Sequence, residues 1–248
     1  MPEGPNIRKT AQAIRTFLAQ RSDLVADVEC GFAHLHMDGK VRFQGSEDGV
    51  QVHGKTLFLI FIHGLLEVHA GMTGTWTMGP VMEHHYTSYI SFTFSCGNVL
   101  TFILADRIGK VNLYPGRTDP QGIVVERKWG PDIYTLERQA LLKLFSSNRR
   151  SKISTLLMNQ KFLAGIGNYL RSEILYVAGL HGDHRLVDLS YDQRVSLANA
   201  VHDVYRYYTD CPHPVHKVYR KSRDPDGHRV QETRVSGRSL FWVPEVQH

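Results

Sequence analysis

The chain opens Met1-Pro2-Glu3-Gly4-Pro5, and its second residue is the first place where chemistry is visible. A small second residue favours removal of the initiator methionine, which leaves Pro2 with a free secondary amine. An α-amino group titrates near about 7.7–8.0, so a useful fraction is nucleophilic around neutral pH. Attack on an aldehyde carbon gives an iminium with no N–H proton to lose, a persistent electron sink for elimination. A helix starting near Pro5 would aim its positive end at the amine and disfavour the ammonium form. Glu3, beside the amine, suits a general acid or base. Two other readings stay open: a rigid, exposed start without chemistry, and a proline amine acting as a plain base for tautomerisation.

A second constellation is Gly165-Ile166-Gly167-Asn168-Tyr169-Leu170-Arg171-Ser172-Glu173-Ile174-Leu175. Its two glycines let backbone approach a ligand closely, and Asn168 is placed to cap the helix that follows. Free backbone N–H groups at such a helix start make an anion site suited to a DNA phosphate, with the Asn amide as a further donor. An ordinary helix start gives the same pattern. Charge agrees with a polyanionic partner. Lys and Arg number 29 against 24 Asp and Glu. Between Lys217 and Arg238, seven bases against three acids leave a local +4 in 22 residues. A solvated charged hairpin would look alike.

The elements that must position these residues follow from periodicity. The 248 residues are 42% apolar and 21% charged, enough for a core and against disorder. The longest aliphatic-aromatic run, Leu57–Ile62, is far short of the ~20 residues that cross a bilayer, and no secretory signal is expected. Three scattered cysteines (Cys30, Cys96, Cys211) without a CxxC exclude a disulfide scaffold and an all-cysteine zinc site, and point to an intracellular setting. Ile7, Ala11, Ile14 and Leu18 make one face of a helix after Pro5. Thr56–Ile62, Leu65–His69, Ser88–Phe94 and Val99–Leu104 read as strands, with turns at His63-Gly64 and Cys96-Gly97-Asn98. A linker is placed at Glu126–Asp132. Helices are expected over Leu136–Ser146, Lys152–Asn159, Asn168–Ala178 and Ser190–Thr209, the last with Ser190 as N-cap. A closing hairpin is expected, Val218–Lys221 and Arg229–Val235 flanking Asp224-Pro225-Asp226-Gly227. The class is α+β: an N-terminal helix plus antiparallel β-sandwich domain over residues 1–125, a helical domain over 126–215 and a β-hairpin over 216–248.

MPEGP, His53-Gly54-Lys55, His69-Ala70-Gly71-Met72-Thr73-Gly74, Asp106-Arg107-Ile108-Gly109, Gly130-Pro131-Asp132 and GIGNYLRSEIL occur in this order. As an ordered set running from Pro2 to the last residues, they resemble the formamidopyrimidine-DNA glycosylase/endonuclease VIII family of base-excision repair. The resemblance implies a helix-two-turn-helix domain and a bifunctional DNA glycosylase/AP lyase working without a cofactor. The expected partner is double-stranded DNA with damaged bases or abasic sites. No membrane is involved, and a monomer is expected. A non-catalytic binder of damaged DNA is the alternative.

By that resemblance Pro2 attacks C1′ of a nucleotide flipped out of the duplex, and Glu3 donates the proton for base loss and ring opening. Lys55 and Asn168 touch phosphates near the lesion. Met72 fills the void left by the flipped base, and Arg107 reads the base opposite. Most of the family close the last hairpin with a four-cysteine zinc finger, but no cysteine follows Cys211. Arg238-Ser239-Leu240-Phe241-Trp242-Val243-Pro244 keeps the family spacing, with Val243 where a ligand cysteine would stand. That implies the zincless-finger branch, no metal, and a hairpin held by Val218, Val230, Val235, Phe241 and Trp242. Arg238 would still reach the phosphate and assist δ-elimination. Asn6 replaces a usual glutamate, which puts the efficiency of lesion processing in question. The short stretch from Thr209 to Lys217 leaves no room for the lesion-capping loop of purine-specific members, so oxidised pyrimidines and ring-opened or hydantoin lesions are favoured over 8-oxoguanine, although HxGMTG and ADRIG look closer to the purine branch.

Overall fold

The protein is described as a computed structural model covering residues 2–37, 39–80, 88–105 and 108–248. Contacts divide it into two compact units. The first holds Met1–Pro2 with Asn6–Arg127, the second Glu3–Pro5 with Lys128–His248. The tail from 216 belongs to the second unit and does not separate as a third.

The first unit is an antiparallel β-sandwich preceded by α1 (Gly4–Ala19). Its strands are β1 (Val25–Cys30), β2 (Gly39–Arg42), β3 (Val50–His53), β4 (Thr56–Phe61), β5 (Gly64–His69), β6 (Thr75–Pro80), β7 (Tyr89–Phe94), β8 (Asn98–Ile103) and β9 (Lys110–Pro115). One sheet runs β2-β1-β7-β8-β6 and the other β3-β4-β5-β9. Ile7, Ala11, Ile14 and Leu18 of α1 join Phe43, Leu57, Leu59, Phe92 and Phe102 in one apolar core. The four predicted strands are present. β1, β2, β3, β6 and β9 were missed because they are short, polar-interleaved pieces such as Val-Ala-Asp-Val-Glu-Cys, whose strand character comes from pairing with a neighbour. Helix α2 (Pro120–Glu126), capped by the Asp119 carboxylate, was also missed.

The second unit is helical: α3 (Arg138–Phe145), α4 (Ile153–Leu157), α5 (Asn168–Val177) and α6 (Tyr191–Asp210), with 3-10 turns at Ile133–Thr135 and Leu186–Asp188. Ser190 caps α6 in a full capping box with Gln193. All residues from Asn168 to Tyr176 are buried, so α5 is the central helix around which the unit is built.

The closing hairpin differs from expectation. Its strands are β10 (Gln231–Val235) and β11 (Arg238–Trp242), joined at Ser236-Gly237, where both residues have positive φ (51° and 76°). Positive φ at both central positions is the two-residue turn that matches strand twist. Asp224–Gly227 does turn, through Asp224 accepting from the Asp226 and His228 N–H groups, but only one bridge, Arg223 with Arg229, flanks it. Val218–Lys221 is not a strand, because the N–H groups of Val218 and Tyr219 are taken by the Glu173 carboxylate on α5.

Candidate active site and DNA-contacting residues

Glu3 is 1% exposed, although it is the third residue of the chain. Its Oε2 accepts from Gly167 N at 3.0 Å and Leu170 N at 3.1 Å, and its Oε1 from Tyr169 N at 2.9 Å. Gly4 N donates to Gly165 O at 3.0 Å, which registers the N-terminal peptide against the same loop. The N-terminus of α5 is thus an anion site, as expected, but the anion is the protein's own carboxylate. Gly167 is required by close approach: a Cβ there would stand 2.2 Å from Glu3 Cδ. Pro2 directly precedes Glu3 and is half-buried, and α1 opens at Gly4, as the sequence anticipates.

Asn168 does not cap α5. Gly167 holds the N-cap position and Asn168 is the first helical residue. Its Nδ2 donates to Ser239 O at 2.9 Å, and its Oδ1 accepts from Arg171 Nη2 at 2.7 Å. Arg171 Nη2 also reaches Ser239 O at 3.1 Å, and Ser172 Oγ accepts from Phe241 N at 3.2 Å. Further along α5, Glu173 accepts from the N–H groups of Lys217, Val218 and Tyr219 at 2.8–2.9 Å, and Tyr176 OH donates to Asp224. Polar side chains spaced three and four apart on one helix therefore hold the outer edge of β11 and the chain leading to the hairpin. This clasp fixes Arg238, the exposed residue just before Ser239. Burial first, then the nearby Arg238 guanidinium, pull Arg171 down to about 10, leaving it charged at neutral pH.

The clasp was not read from the sequence. Arg171, Ser172 and Glu173 were visible as polar residues in an apolar helix, which is the available signal, since buried charges need partners. Of the apolar residues expected to hold the hairpin, Val218 and Val230 pack with Tyr176, Val243 and Val246, and Val235 packs on the core of the unit. Phe241 meets Tyr219 and Trp242 meets His181, with ring centroids 5.2 and 4.4 Å apart.

In the first unit, Lys55 sits half-buried in the two-residue turn between β3 and β4, where Gly54 takes φ 57°. Met72 is 54% exposed on the loop after β5. That loop is pinned: Gly74 N donates to Ala70 O, Gly71 N to His69 Nδ1, and a Cβ on Gly71 would stand 2.5 Å from Gly109 N. The Met72 loop and the Ile108-Gly109 backbone are thus in direct contact. Arg107 lies outside the described residues. His69, which the sequence reading left without a role, is driven toward its neutral form by burial and by Lys55 and Lys110, against the opposing pull of Glu67. Because Nδ1 accepts from Gly71 N, the neutral ring carries its proton on Nε2.

The "Formamidopyrimidine-DNA glycosylase H2TH domain" family matches residues 130–207. Along its whole length the chain is 29% identical to an endonuclease 8 of Escherichia coli (strain UMN026) and 28% identical to one of Klebsiella pneumoniae (strain 342), covering 100% of each. Among solved structures it is similar to the Lactococcus lactis formamidopyrimidine-DNA glycosylase bound to DNA containing an abasic site, with TM-score 0.84, 17% identity and 100% of both chains covered. A complex of the same enzyme with DNA containing an oxidised pyrimidine gives TM-score 0.83, 17% identity and the same coverage. The chain is thus similar over its whole length to endonucleases 8 and in fold to a formamidopyrimidine-DNA glycosylase, and its residues 130–207 match the H2TH domain.

A zinc site of the kind the sequence resemblance raises for the last hairpin does not fit the residues here. Among the described residues, Asp224, Asp226 and His228 bring ligand atoms within 4.8 Å of one another. The Asp224 carboxylate, however, already accepts from two main-chain N–H groups, Tyr176 OH and His228 Nδ1. The group is an internal clasp.

Proposed function

We propose that the chain is a bifunctional DNA glycosylase/AP lyase that removes oxidised bases, pyrimidines in preference, and then cuts the strand by β,δ-elimination. The observation that carries this reading is the seat of Glu3: a carboxylate fixed by three main-chain donors, one residue from Pro2. Removal of Met1 exposes the Pro2 amine. Its nitrogen attacks C1′ of the extruded nucleotide, the C1′–N bond breaks and the base leaves with a proton. The leaving base and the sugar ring oxygen each take a proton as the ring opens: the Pro2 nitrogen gives up its own hydrogen in becoming the iminium, and Glu3 supplies the other and regains a proton when C2′ is deprotonated. The resulting iminium acidifies C2′; loss of that proton expels the 3′ phosphate, a second elimination expels the 5′ phosphate, and water hydrolyses the iminium to return free Pro2.

Lys55, Asn168 and Arg238 hold phosphates beside the lesion. Asn168 contributes with the Nδ2 hydrogen that Ser239 O does not occupy. Met72, exposed on a pinned loop, fills the void, and Arg107, on the motif alone, reads the base opposite. The preference for pyrimidines is supported by the short connection 211–217, since α6 runs to Asp210 and Val218 is already bound to Glu173.

Borohydride trapping on a duplex with one abasic site tests the reading. The protein with Met1 removed, confirmed by intact mass, should form a covalent adduct that maps to Pro2 and disappears in Pro2→Gly. Tight DNA binding without any adduct would replace this reading with a non-catalytic binder of damaged DNA.

A further inference from the structure

Around His216 the second unit builds an aromatic box that no step above uses. Its ring centroid lies 5.2 Å from that of Tyr169, 5.4 Å from Tyr208 and 5.3 Å from Tyr219. Tyr208 OH and His216 Nδ1 are 2.7 Å apart, which fixes the imidazole plane. Glu173 fixes the backbone immediately after it through the N–H groups of Lys217, Val218 and Tyr219. Even so, His216 remains only half-buried. A ring held this firmly and still open to solvent is a surface prepared for another planar ring.

Tyr169 ties this surface to the reacting centre. Its main-chain N–H donates to Glu3 Oε1 at 2.9 Å while its ring packs on His216. We infer that His216, framed by Tyr169, Tyr208 and Tyr219, is the face on which the extruded base stacks before it is released. This rests on the glycosylase reading above. Burial is the main reason the imidazole stays neutral, with Lys221 acting the same way and Glu173 opposing, so the face presents a π-surface without a fixed charge. Stacking on aromatic side chains reads planarity and tolerates identity. The favoured substrates are therefore flat oxidised pyrimidines such as 5-hydroxyuracil, in preference to pyrimidines saturated at C5 and C6, whose rings pucker.

The test compares two substrates in one duplex sequence under single-turnover conditions: release of 5-hydroxyuracil, and strand cleavage at an abasic site, which has no base to stack. His216→Ala should slow base release about tenfold, the scale of one lost stacking contact, while abasic cleavage keeps pace with the wild type. His216→Phe, which keeps a flat ring but cannot bond to Tyr208, should restore base release. Equal loss on both substrates, no loss on either, or a His216→Phe variant as slow as His216→Ala would each overturn the inference. A wild-type protein unable to cleave the abasic duplex would instead sink the glycosylase/lyase reading, and this one with it.

Discussion

Replacing Gly167 with alanine should separate placing the Glu3 carboxylate from forming the fold. Gly167 has φ −124° and ψ −159°, an extended conformation open to alanine, so the backbone itself resists little. The obstacle is steric. The added Cβ would lie 2.2 Å from Glu3 Cδ and 2.4 Å from Oε1, where ordinary contact starts at 3.4 Å, so the carboxylate must retreat by about 1.2 Å. Main-chain bonds of 2.9–3.1 Å cannot survive that shift together. A misplacement of about 1 Å at a reacting group costs on the order of a hundredfold in rate. Gly167→Ala should therefore cleave an abasic duplex about a hundredfold more slowly in single turnover, at a temperature where circular dichroism shows it folded. Its affinity for a non-cleavable tetrahydrofuran duplex should stay within about threefold, because the phosphate contacts are made elsewhere. A variant that cleaves within about threefold of the wild type would refute the argument that Glu3 acts from this seat.

Two further predictions concern the tail. Glu173→Gln keeps the shape but turns one acceptor into a donor facing a main-chain N–H; urea unfolding should show a loss of about 2 kcal/mol, and a neutral result would mean the three bonds at Glu173 contribute nothing net. The hydrogen bond that His228 Nδ1 donates to the Asp224 carboxylate is the main reason His228 binds its proton more tightly than an ordinary histidine. The protonated form is the one the folded turn favours, so this contribution is complete below about pH 6.5 and fades as pH rises through the raised value. Amide NMR signals of Asp224–His228 should shift in that window, and an ordinary histidine titration at His228 would contradict the contact.

The sequence and the structure agree best where a pattern is local. The Ile7, Ala11, Ile14 and Leu18 stripe, the Ser190 cap and the all-buried run of β4 need no distant partner to be recognised. The position of the closing hairpin needed one. Asp224-Pro225-Asp226-Gly227 has the richer turn composition, yet Ser236-Gly237 makes the ladder, because Glu173, some 45 residues upstream of Val218 and Tyr219, removes the first expected strand. The candidate site divides in the same way. Glu3 and the glycine-started helix were each legible as residues with chemistry, but that one occupies the other's N–H groups is a contact 164 residues apart in sequence. Asn168 and Arg171 were likewise visible as polar residues. Their shared target, the carbonyl of Ser239, is a main-chain atom and leaves no trace in residue type.

A hairpin clasped by Asn168, Arg171, Ser172 and Glu173 has a chemical consequence for its surroundings. Thiolate ligands are the groups that peroxide and related oxidants convert to sulfenic and higher acids, with ejection of the bound metal. From residue 212 to residue 248 this chain contains neither cysteine nor methionine. Its closing hairpin therefore offers those oxidants no thiolate or thioether to attack. Chelators and hydrogen peroxide, at doses that disable a zinc-dependent arm, should leave this one intact.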